Sequence, residues 1–166
     1  MKTEKLKNNS TDTVIKNLTD LLNKGNAHVS FDDSLKDISF DLIGKKPKSL
    51  PYSIWQLVEH IRIAQNDILE YSRNKNHISP AWPDDYWASK PAPESNDEWN
   101  QSIEQIKSDR EEFIKLLSNS GENIYHPFDY GNGQSLLKEA LVLADHNSYH
   151  TAEIIIIRRL LDDWKK

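Results

Sequence analysis

Two histidines, His146 and His150, stand four residues apart in a stretch without helix breakers. At about 100° per residue they lie some 40° apart on a helix wheel, one turn above the other. That spacing lets two imidazoles reach one metal ion. Leu143, Ile154, Ile157 and Leu161 fall on the same face, so both histidines are predicted to look into a core. A core-directed imidazole needs hydrogen-bond partners or a ligand role. His60 has the same setting among Leu57, Ile61 and Ala64. Three inward histidines from two helices can meet at one point, giving three nitrogen ligands with positions left open for water or substrate. Three imidazoles suit a divalent ion such as Zn, Ni or Fe. The other histidines, His28, His77 and His126, fall in connectors and are expected to face solvent. Asp67 and Glu139 point toward the histidine face from two turns away, too far to be ligands. Asp145 and Asn147 flank that face, and no role is assigned to them.

The elements that must position these residues follow from hydrophobic periodicity. A first helix is predicted from about Asp12 to Lys24, on Val14, Ile15, Leu18, Leu21 and Leu22, with Gly25 as its stop. Residues 26–51 read as a connector with a short helical turn near Ser34–Leu42. A second helix runs from Ser53 to Arg73 and carries His60. Residues 74–94 contain Pro80, Pro83, Pro91 and Pro93, so no long helix crosses them. Trp82, Tyr86 and Trp87 in that segment form either a lid over a pocket or a strap packed on the helices, and the strap is favoured. Ser95 and Glu98 have capping-box spacing and open a third helix ending near Asn119–Gly121. A loop with Pro127, Gly131 and Gly133 precedes a fourth helix, Ser135 to Trp164. No strand alternation, internal repeat or sustained heptad is present. The predicted fold is all-α, a four-helix bundle forming one domain over 1–166. Its long crossover between helices 2 and 3 could join parallel neighbours. Trp55, Trp99 and Trp164 read as core, groove or dimer contacts.

Composition narrows the chemistry. The 166 residues include six histidines, five tryptophans and no cysteine, which excludes a disulfide framework, a zinc ribbon and a cysteine nucleophile. The net charge of −5 argues against nucleic acid as a partner. The first thirteen residues are polar, with Lys2, Lys5 and Lys7, and have no apolar signal region. The longest aliphatic run, Ile154–Ile157, is far short of the roughly 20 residues that cross a bilayer. The expectation is a soluble, cytoplasmic protein that engages neither membrane nor nucleic acid. Because the Ile154–Ile157 run covers many faces of its helix, that helix is expected to be surrounded, either inside the bundle or in a homodimer.

The stretch Ala144-Asp-His-Asn-Ser-Tyr-His-Thr-Ala-Glu-Ile154, followed by Arg158-Arg-Leu-Leu, resembles the fourth-helix motif of the DinB-like (YfiT-like) superfamily. Pro51-Tyr-Ser-Ile-Trp-Gln-Leu-Val-Glu-His60 resembles its second helix, and the likeness extends from about Thr11 to Trp164. The resemblance implies an up-down-down-up bundle, a metal on His60, His146 and His150, and frequent homodimers. Relatives often carry Gly where this chain has Ala152, and tighter local packing is expected there. Glu153, one turn beyond His150, is expected either to accept a proton from a ligand imidazole or to be a surface carboxylate. Some members of the superfamily are transferases or isomerases dependent on bacillithiol or mycothiol. The expected function is therefore a divalent-metal-binding protein acting as a thiol-dependent S-transferase on a small molecule. The alternatives are metal-dependent hydrolysis, with Glu153 as the only nominee for a base, and non-catalytic metal or ligand binding in a stress-response dimer.

Overall fold

The computed structural model describes residues 2–24 and 26–164, with side chains from residue 10 onward. The predicted stop at Gly25 lies outside the described residues. Four long helices carry the structure: α1 (Lys2–Asn23), α4 (Ile54–Arg73), α5 (Asn96–Ser120) and α6 (Leu136–Leu160). Two one-turn helices, α2 (Phe31–Ser34) and α3 (Phe40–Ile43), replace the single turn expected near Ser34–Leu42. Single 3-10 turns occupy Asp84–Tyr86 and Gly121–Tyr125. Among the described residues there is no strand, only an isolated bridge between Pro127 and Ser135.

Three of the long helices begin on a serine whose hydroxyl accepts from the backbone N–H three residues on: Ser53 from Gln56, Ser95 from Glu98 and Ser135 from Lys138. At α4 the box is reciprocal, because Gln56 also accepts from the Ser53 N–H. At α5 it is not. The Glu98 carboxylate accepts from the Glu94 N–H instead, one residue upstream of the expected partner. The first helix starts about ten residues earlier than periodicity predicted. Its leading turns are rich in Lys, Glu and Asn without a breaker, so apolar spacing does not reveal them. The last helix stops at Leu160, four residues short of Trp164, because Asp162 takes a left-handed conformation (φ 57°) and turns the chain.

The turn brings Asp163 back to Arg158. Arg158 is buried, donates from Nε to Asp163 (2.6 Å) and from Nη1 to the carbonyls of Ser34 (2.7 Å) and Lys36 (2.9 Å), and lies over the Trp164 ring. A buried guanidinium is tolerable only with partners of this kind. It ties the end of α6 to α2.

Helix α4 packs on α5 and α6, and α1 packs on the same two helices. Two apolar clusters fill the interior. One gathers Ile54, Leu57, Ile61, Ile106, Ile154 and Ile157, with Trp55 and Trp99 in contact at 6.2 Å between ring centroids. The other gathers Leu18, Leu69, Phe113, Leu117, Ala140 and Leu143. Along α6, the apolar core breaks between Leu143 and Ile154, and both helix histidines lie in that gap. Residues 74–95 run over the α4 side. They are pinned where Ser53 donates to the Pro91 carbonyl, and where Gly44 gives Ala92 room that a Cβ would occupy.

Candidate metal centre

His60 projects from α4, and His146 and His150 project from adjacent turns of α6. Their ring centroids lie 4.9, 4.6 and 4.5 Å apart, and one nitrogen of each falls within 4.8 Å of the others. The partners of the remaining nitrogens define the tautomers. His60 Nδ1 lies 2.9 Å from the Tyr86 carbonyl, and His150 Nδ1 lies 2.7 Å from a Glu153 carboxylate oxygen. Both partners only accept, so both Nδ1 atoms carry the proton. For His146 the direction comes from a longer chain. Gln65 Nε2 donates to the Ile106 carbonyl, which turns its Oε1 toward Asn147 Nδ2 (2.9 Å). Asn147 Oδ1 then faces His146 Nδ1 at 3.3 Å. All three Nδ1–H groups are spoken for, and all three Nε2 atoms keep bare lone pairs.

The Nε2 atoms of His60 and His146 stand 3.0 Å apart. With both protons on Nδ1, two lone pairs confront each other with no hydrogen between them. A cation resolves that conflict. Two imidazole nitrogens bound to one ion at about 2.0–2.1 Å lie roughly 3.0–3.4 Å from each other. The donor set therefore fits a divalent metal.

The family model of the DinB superfamily matches residues 27–154, a span that holds all three histidines and Glu153. The chain belongs to the DinB superfamily. Comparison with curated proteins and with solved structures gave no match. Members of the superfamily bind metal, and in this one the three-histidine group is what could hold it.

The surroundings favour the neutral form of His146 and His60. Burial pushes His146 down to about 4, with His150 and His60 adding to the effect and the Asn147 bond opposing it. Burial also lowers His60, partly offset by the Tyr86 carbonyl. Neutral imidazole is the form that ligates metal. Trp87 lies flat on His60 at 4.0 Å between centroids and meets His150 edge-on, while Tyr149 covers another edge of His150. Tyr52 stacks on Trp87 and donates its hydroxyl to the second oxygen of Glu153. Burial, then the adjacent carboxylate, holds the Tyr52 phenol well above its usual value.

The aromatic connector packs down over the site. Tyr86 is buried, its carbonyl serves His60, and its hydroxyl donates to Asp67 at 2.6 Å. Trp82 is 73% exposed and touches Tyr86 only at its edge.

Several expectations need correction. His77 does not face solvent; it is half-buried against Asp67 at 2.7 Å, because the chain after α4 folds back beside that helix. His28 and His126 are exposed. Ala152 is exposed too, so its methyl adds no local packing. Asn147 is not an idle flanking residue but the partner of His146. Tyr52, Trp87, the Tyr86 carbonyl and Gln65 belong to the centre and were not singled out for it. Tyr86 and Trp87 left a signal as aromatics of the proline-rich connector, and Gln65 as an amide on the inward face of the His60 helix.

Proposed function

We propose that this chain holds one divalent ion on the Nε2 atoms of His60, His146 and His150 and acts as a thiol-dependent S-transferase on small electrophiles, with a bacillithiol-type thiol as cosubstrate. The observation that carries the reading is the convergence of three bare imidazole nitrogens, each aimed by an acceptor on its other nitrogen. Zn, Ni and Fe all suit such a donor set. When bound, the ion supplies Lewis acidity that favours the thiolate form of a sulfur beside it. The chain has no cysteine of its own, so the sulfur arrives on a small molecule. In the transfer, sulfur forms a bond to the electrophilic carbon, and the leaving group departs with the electron pair of the bond that breaks. Glu153 holds the His150 proton throughout, and Trp87 covers the face of the His60 ring. Hydrolysis fits less well, because its nominated base, Glu153, is already committed to His150 and Tyr52.

Metal analysis of protein purified without a histidine tag, beside His146→Ala, tests the first half. About one ion per wild-type chain and none in the variant is expected. No stoichiometric metal after incubation with Zn and Ni overturns it. Turnover of chloro-dinitrobenzene or an epoxide with low-molecular-weight thiols tests the second half. A metal-loaded protein that turns over no thiol at all leaves the non-catalytic binding role in its place.

The same proposal includes an up-down-down-up order for the four long helices, with residues 74–95 as the crossover, and a homodimer. Leu141, Val142, Tyr149, Ile156 and Leu160 are exposed on one side of α6 and support the pairing. A reducing, cytoplasmic setting suits a chain without cysteine. Among the described residues no helix is long and apolar enough to cross a membrane.

A further inference from the structure

A cavity of about 320 Å³ opens where α1, α4, α5 and α6 meet, and none of the three histidines lines it. Its volume is at the low end of small-molecule pockets. Its lining is mixed, with Leu21, Leu22, Phe31, Ile106, Leu141 and Ala144 as the apolar part. The polar groups around it are mostly spent. Gln65 and Asn147 bond each other, and Thr151 donates to the Asn147 carbonyl. His28 donates from Nδ1 to the Val29 carbonyl, and its Nε2 pairs with the Ser148 hydroxyl at 3.0 Å. Lys24 is paired with Asp20.

Arg110 is the exception. Its side chain is only 14% exposed, and it bonds Asp32 through Nη2 at 2.9 Å. Its Nε is sealed from solvent and cavity alike and has no partner among the described residues, so the terminal Nη groups are the ones a ligand would meet. A guanidinium carries five donors in a planar fork suited to a carboxylate. Asp32 beside it and Asp145 on the exposed cavity rim limit how much negative charge a ligand can bring.

We propose that this cavity binds a small monocarboxylate with an apolar body, its carboxylate on Arg110 and its body against Phe31, Ile106 and Leu141. The floor of the cavity is the Gln65–Asn147 pair that aims His146, so an occupant sits against the support of the histidine centre without touching the histidines.

Calorimetric titration of the full chain with octanoate tests it, with octanol and inorganic phosphate as comparisons. Saturable one-site binding of octanoate is expected, at least ~10-fold tighter than octanol or phosphate, since charge-assisted hydrogen bonds carry the difference. Arg110→Gln should bring octanoate down to the level of octanol. Ala144→Leu, which fills the cavity without removing a charge, should weaken both. Octanol binding as tightly as octanoate overturns the proposal, as does wild-type protein that shows no saturation. If Arg110→Gln does not fold by circular dichroism, Ala144→Leu decides, and unchanged octanoate affinity overturns it. Metal content measured in parallel reports on the histidine centre independently.

Discussion

Glu153 serves two partners with one charge, accepting from His150 Nδ1 through one oxygen and from Tyr52 through the other. Glu153→Gln removes the charge and leaves an amide that cannot accept from both. Metal affinity should fall ~10–100-fold, the usual cost of losing a carboxylate behind a ligand imidazole. Competition with a chelator measures it, and an unchanged affinity would count against the role. Glu139 makes the opposite prediction. It is buried, has no hydrogen-bond partner among the described residues, and its carboxyl is raised by burial, with the charge of Asp67 adding to it. A raised carboxyl binds its proton more tightly folded than unfolded, so its stability contribution is lost as pH climbs above the ordinary carboxylate range. Glu139→Gln should therefore stabilise the protein at pH 7, by about 1 kcal/mol, with the gain fading near pH 4. Thermal melts at the two pH values check both the sign and the trend. The three histidines were legible because wheel position is a local property. The partnerships of Tyr52 with Glu153 and of Gln65 with Asn147 span 101 and 82 residues, and no local pattern encodes them.

Helix starts were the readable part of the elements, since each cap hydroxyl and the amide it receives lie three residues apart. Ser53 does more than cap. It is fully buried, receives the Gln56 N–H at 3.2 Å and donates to the Pro91 carbonyl of the connector. Ser53→Ala should cost about 1–2 kcal/mol, read as a lower denaturant midpoint. If the cost equals that of Ser135→Ala, where the cap serves its own helix alone, the connector bond carries nothing. Three of the four long-helix ends, at Asn23, Arg73 and Ser120, lie within about a residue of where the sequence places them. The stop at Leu160 depends on Asp162 entering a left-handed conformation, and an aspartate there carries no such instruction by type. The early turns of α1 were missed for a related reason: polar helix formers leave no period to count.

At the scale of the molecule, the all-helical class was legible from four helix-length apolar segments separated by prolines and glycines. The proposed homodimer rests on α6, whose apolar residues appear on both its inner and outer sides: Ile154 and Ile157 are fully buried, while Ile156 is 47% exposed. Light scattering at micromolar concentration should give twice the chain mass, and Ile156→Lys should shift it toward the monomer. A wild-type monomer under those conditions removes the pairing. Arg158 bears on the order in which the chain can become complete. The carbonyls of Ser34 and Lys36 belong to the first quarter of the chain, yet the guanidinium that satisfies them lies 124 and 122 residues later. A chain emerging from the ribosome cannot close this junction until Arg158 has been made. Until then the α2 region waits with open acceptors, and a product ending between His150 and Arg158 would keep all three histidines and lose the clasp.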